Sequence, residues 1–125
     1  MKYLVFIALG GAGGAVARYL LSTWLHGLWE ARWPIGTLAV NILGSMLIGL
    51  IFVLIQRDVI HPDWRGVLMV GFLGAFTTFS TFSLEAIMLV EQGRIIPALE
   101  YVVGSAVLCV LAAGVSVHLA RQWLG

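Results

Sequence analysis

Five hydroxyl side chains fall within seven residues of this sequence: Thr77, Thr78, Ser80, Thr81 and Ser83. Gly71 and Gly74 stand just before them. Such hydroxyls compete with the backbone for hydrogen bonds and glycine adds freedom, so the segment predicts a local break in a helix. Freed carbonyl oxygens beside hydroxyls would make a site for a hard cation such as Na⁺. Phe76, Phe79 and Phe82 recur every third residue through the same stretch. Such a stripe is usually packing. A phenyl ring also has a positive edge, and edges turned into a narrow pore would favour an anion.

A second series lies upstream. Thr37, Asn41, Ser45 and Gly49 follow one another at i, i+4 spacing, which stacks them on one helix face. One reading is hydrogen-bonding between helices. The other is a lined pathway in which the Asn41 amide donates to an anion. Tyr101, Ser105 and Cys109 repeat the spacing further on. Two charges, Arg18 and Glu85, lie inside apolar runs. A charge at the bilayer centre costs ~2.5–3.5 kcal/mol, so both should face protein or water, or in the case of Arg18 snorkel to the interface.

The elements that carry these residues are apolar helices. Of 125 residues, 61% are hydrophobic and 10% charged, whereas soluble domains run near ~45–50% and ~25%. That composition excludes a disordered chain, a disulfide scaffold and almost any soluble enzyme of this size. A spanning helix needs ~20 mostly apolar residues, and the charges leave four such runs. They predict an all-α integral membrane protein with helices over roughly 3–24, 33–56, 66–90 and 97–121, with Pro97 opening the last. The runs are apolar all round, as lipid contact requires, and a soluble bundle would show polar stripes. The connections, 26–32, 57–65 and 91–97, are short and polar.

The glycines of the first run admit two other readings. Gly10, Gly11, Gly13 and Gly14 imitate a dinucleotide fingerprint, but the spacing from Gly11 ends on Val16 and no strand–helix alternation follows. Lys2, an apolar stretch and Ala15-Val16-Ala17 imitate a secretory leader. The glycines, and the apolar sequence running on through Tyr19-Leu20-Leu21, favour a retained helix in which Gly10 and Gly14 let another backbone come close.

Orientation is barely biased. With four spans, Lys2, Arg57, Arg65 and Arg121 share one side. Arg32 and Arg94, and Arg18 if it snorkels, share the other. The positive-inside rule works through that asymmetry, which is slight here. Insertion with the N-terminus cytoplasmic and insertion both ways are both open. Two opposite copies could pair about a two-fold axis in the membrane plane.

Gly10-Gly11-Ala12-Gly13-Gly14-Ala15-Val16-Ala17-Arg18-Tyr19 resembles the first-helix signature of the Fluc (CrcB) fluoride channels. Gly36-Thr37-Leu38-Ala39-Val40-Asn41-Ile42-Leu43-Gly44 resembles the second. Gly71-Phe72-Leu73-Gly74-Ala75-Phe76-Thr77-Thr78-Phe79-Ser80-Thr81-Phe82 resembles the third. The likeness covers the whole chain in length and helix count. It implies an antiparallel, dual-topology homodimer in the bacterial inner membrane, with the third helix broken near mid-membrane and two pores that pass F⁻ passively and reject chloride. It implies a structural, untransported Na⁺ at the dimer centre on the backbone carbonyls of Gly74 and Thr77. The pore phenylalanines map to Phe79 and Phe82, the amide to Asn41, and the hydroxyl track to Ser80, Thr81, Tyr101 and Ser105. Arg18 maps near a vestibule. Cys109 falls where a hydroxyl would continue the track.

Other classes fit less well. A four-helix drug or guanidinium exporter would carry an acid in its first helix, where this chain has Arg18. An accessory membrane subunit would account for the small size and the glycines, not for the polar stripes. His26, His61 and His118 show no nucleophile–base or metal-ligand spacing, so no enzyme is expected. A net charge of +1 offers no basic excess for nucleic acid, and the single cysteine, Cys109, makes no internal disulfide.

Overall fold

The computed structural model describes residues 2–28 and 33–125. Residues 29–32 of the first connection, Arg32 among them, lie outside the described residues. What is described is all helical: α1 (Lys2–Leu28), α2 (Ile35–Gln56), a π-helical segment (Arg65–Leu73), a single turn α3 (Gly74–Phe76), α4 (Phe79–Glu91) and α5 (Ile95–Trp123). The π-helical segment, α3 and α4 follow one another as a third span, so four helical runs are long and apolar enough to cross a membrane. Side chains such as Leu9, Leu20, Leu84, Val103, Val110 and Leu111 point outward. In water that would be costly. In a bilayer it is the expected surface of a multi-pass protein.

Between α3 and α4 the backbone is extended. Thr77 has φ −84° and ψ 156°, and Thr78 has φ −149° and ψ 114°. Helix resumes at Phe79 because the Thr78 hydroxyl accepts the Thr81 N–H at 3.2 Å, an N-cap. The extended pair stands midway along the third span, between the stretches 65–76 and 79–91. Pro97 is the third residue of α5, still within the first turn, whose N–H groups have no intrahelical acceptor.

α1 lies against the π-helical segment and α3, and α2 lies against α5. The first contact is backbone on backbone. A Cβ on Gly10 would strike the Val67 carbonyl, and one on Gly14 would strike the Phe72 carbonyl. The G-x-x-x-G spacing is therefore a packing face, as expected. Two small cores follow. Val40, Leu73 and Phe76 meet between α2 and the third span. Phe82, Ala86, Leu89, Ala98 and Tyr101 meet between α4 and α5.

Candidate functional site

The extended pair is held from α2. The Thr78 N–H donates to Asn41 Oδ1 at 2.8 Å, and Asn41 Nδ2 donates to the Thr78 carbonyl at 3.1 Å. α2 comes close enough because position 44 has no side chain: a Cβ there would collide with the Thr77 methyl. The Thr77 hydroxyl turns back to the Leu73 carbonyl at 2.9 Å. From α1, Arg18 Nε donates to the Ala75 carbonyl at 3.1 Å. The half-buried guanidinium thereby sits at the C-terminal, negative end of the preceding helix, where a cation is stabilised.

These groups border a cleft of about 460 Å³. Asn41 and Ser45 line it from α2, Gly74, Thr77, Thr78, Phe79 and Phe82 from the third span, and Ser105 and Cys109 from α5. The rest of its wall is aliphatic, so a few polar groups stand in an apolar slot. Ser105 Oγ is buried and has no hydrogen-bond partner among the described residues. Unsatisfied buried hydroxyls are rare, and a ligand or ordered water is the usual explanation.

The aromatic rings form a run out of the cleft. The Phe79 and Phe82 centroids are 5.4 Å apart at 49° between planes, and Phe82 and Tyr101 are 5.0 Å apart at 52°. Such tilts turn ring edges toward neighbouring faces. Phe79 is 79% exposed, so its ring is a wall of the slot and not part of the core. Phe76 instead is buried and stacks on Phe72 at 5.8 Å, which makes it packing.

Of the residues singled out from sequence, Asn41, Gly74, Thr77, Phe79, Phe82 and Ser105 share the cleft. Ser80, Thr81, Tyr101 and Arg18 are outside its lining. Ser80 is exposed on the first turn of α4. The Thr81 hydroxyl meets that of Thr78 at 3.0 Å. Tyr101 is buried, and its hydroxyl lies 3.4 Å from Glu85 Oε1. Glu85, whose role the sequence leaves open, also faces His26 Nε2 at 4.0 Å, joining the end of α1 to α4 and α5. Three contacts had no sequence signal: Asn41 on the Thr78 backbone, Arg18 on Ala75, and Glu85 between His26 and Tyr101. Each joins residues far apart in the chain, and local spacing does not report such pairs. Among the described residues no group of three or more His, Cys, Asp or Glu could hold a metal, so a cation here would need neutral oxygens.

Comparison with known proteins follows the same outline. The family described as CrcB-like protein, Camphor Resistance (CrcB), matches residues 5–117. A protein of Hahella chejuensis named fluoride-specific ion channel FluC is 48% identical over 123 residues, 97% of this chain and 96% of that one. Proteins of the same name from Saccharophagus degradans and Stutzerimonas stutzeri are 46% and 44% identical. They cover 93% and 92% of this chain, and 87% and 94% of their own lengths.

Proposed function

The chain belongs to the CrcB family, a family of ion channels and not of enzymes, and from that premise we propose that it is a fluoride-selective channel. It lets F⁻ leave the cell passively, which lowers cytoplasmic fluoride and its toxicity. The observation that carries this reading is the cleft, where Asn41, Ser105, Phe79 and Phe82 converge from three spans in otherwise apolar protein. F⁻ is small and strongly hydrated, so a narrow passage must supply close donors in place of water. The Ser105 hydroxyl has no partner among the described residues, and the Asn41 amide has a second N–H beyond the one given to Thr78. The edges of Phe79 and Phe82 add positive potential. Ser80, Thr81 and Tyr101 extend the track beyond the cleft, and the fixed charge of Arg18 draws anions toward the vestibule.

The working unit in this reading is a homodimer of oppositely inserted copies in the bacterial inner membrane, with two pores. Its support is physical. Gly74, Phe79 and Ser80 are exposed beside the extended backbone of Thr77 and Thr78. Irregular backbone and hydroxyls at membrane depth must be covered by protein or line water. A second copy laid over the cleft about an in-plane two-fold axis covers them and closes the slot into a passage. The slight Lys/Arg asymmetry leaves both insertions open to the chain.

A structural Na⁺ fits the oxygens assigned to it. In a continuous helix the Gly74 carbonyl would accept the Thr78 N–H and the Thr77 carbonyl the Thr81 N–H. Both donors are engaged elsewhere, by Asn41 Oδ1 and the Thr78 hydroxyl. Two neutral oxygens are thereby left without their helical donors, and such oxygens suit a hard, weakly charged cation. Bound there, Na⁺ would offset the burial of those carbonyls and tie two copies together.

Protein reconstituted in fluoride-loaded liposomes tests the proposal. F⁻ leaves down its own gradient, with no proton or cation coupling. Release no faster than from empty liposomes contradicts it.

A further inference from the structure

We propose that Asn41 creates the cation site: by capturing the Thr78 N–H it keeps the Gly74 carbonyl open for Na⁺. The inference rests on the Na⁺ reading above and assigns the residue that makes it possible. Asn41 is then a positioning residue for the cation as well as a wall of the cleft.

The argument is one of donors and acceptors. Asn41 uses both ends of its amide on one residue, accepting from the Thr78 N–H at 2.8 Å and donating to the Thr78 carbonyl at 3.1 Å. A primary amide presents a donor and an acceptor on one planar edge, as a peptide group does. Thr78, at φ −149° and ψ 114°, offers its own N–H and C=O to that edge as a β-strand offers them to a neighbour. The helix can therefore open at this point without leaving Thr78 unsatisfied in an apolar setting.

The neighbouring carbonyls are already occupied. Leu73 accepts from the Thr77 N–H at 3.0 Å and from the Thr77 hydroxyl at 2.9 Å. Ala75 accepts from Arg18. The Gly74 carbonyl lies between them, and its helical donor is the one that Asn41 takes. With an apolar side chain at position 41, the acceptor that the helical register offers to the Thr78 N–H is the Gly74 carbonyl. The turn closes and the oxygen is lost to a cation. The absent side chain at Gly44, one turn along α2 against the Thr77 methyl, keeps the amide within reach.

The test reads sodium, not flux. Purified protein in detergent is melted in NaCl and in N-methylglucamine chloride, with the dimer fraction followed in each. The unsubstituted protein melts higher and stays more dimeric in sodium. Asn41→Leu requires at least about tenfold more sodium for the same increment, the effect of losing the Gly74 oxygen of each copy. Asn41→Asp keeps an acceptor for the Thr78 N–H and keeps the increment. Ser116→Ala removes a distant bond from α5 to the Met46 carbonyl, so it lowers the melting temperature and keeps the increment. A full sodium increment in Asn41→Leu overturns the proposal and leaves the Na⁺ reading standing. If Asn41→Leu forms no dimer, Asn41→Asp decides, and a folded Asp variant without the increment overturns the proposal. No increment in the unsubstituted protein overturns the proposal and the Na⁺ reading together.

Discussion

Several polar side chains in the apolar spans have either a protein partner or a place on the cleft. Arg18 and Asn41 hold backbone at the extended pair of the third span, and Ser105, on the cleft wall, has a buried hydroxyl with no partner among the described residues. Phe79 and Phe82, the two proposed pore rings, differ in surroundings, and that separates their expected phenotypes. Phe82 is buried against Tyr101, whereas Phe79 is exposed on the wall. Phe79→Ile should lower F⁻ flux about two- to tenfold, the range that follows if the ring edge contributes as much as an aromatic pair, ~0.5–1.5 kcal/mol, with an unchanged melting temperature. Phe82→Ile should lower both, because its packing on Tyr101 goes as well. Wild-type flux in both variants, measured by a fluoride electrode, would remove the ring-edge role. Arg18→Leu strands the Ala75 carbonyl and should cost about 1–3 kcal/mol of stability, read as a lower melting temperature. The sequence displayed these residue types and their stripes. It did not display that Asn41 and Thr78, 37 positions apart, share two hydrogen bonds.

Among elements, the decisive contact is α1 on the third span. Gly10 and Gly14 were legible as a close-approach face, because their spacing alone puts them on one side of a helix. Their partners, the backbones of Val67 and Phe72, were not. Nor was the π-helical geometry of Arg65–Leu73, since an apolar run has no polar markers to separate one helical period from another. The glycines of α1 make a graded test. Gly14→Val places side-chain atoms on the Phe72 backbone and should destabilise by about 1–3 kcal/mol or more, as overpacking does. Gly13→Ala meets only the Phe72 ring, at 3.6 Å, and should be tolerated. Equal melting temperatures for the two variants would contradict this packing face.

At the scale of the whole molecule, the number of spans could be counted from where charges interrupt apolar runs. Which spans touch could not, because every run is apolar on all sides and no stripe marks a partner. The proposed dimer belongs to this scale. A reporter fused to the C-terminus should be found on both faces of the membrane in comparable amounts if the chain inserts both ways. A reporter confined to one face would reject dual topology while leaving the cleft as described.

The central claim is that hydroxyl, amide and ring-edge groups in an apolar slot stand in for the water of a fluoride ion. Efflux of fluoride and of chloride from liposomes holding the same protein, at equal gradients, measures that substitution most directly. Fluoride should leave rapidly and chloride should stay at the rate of empty liposomes. Comparable efflux of both ions, or of neither, would contradict the account.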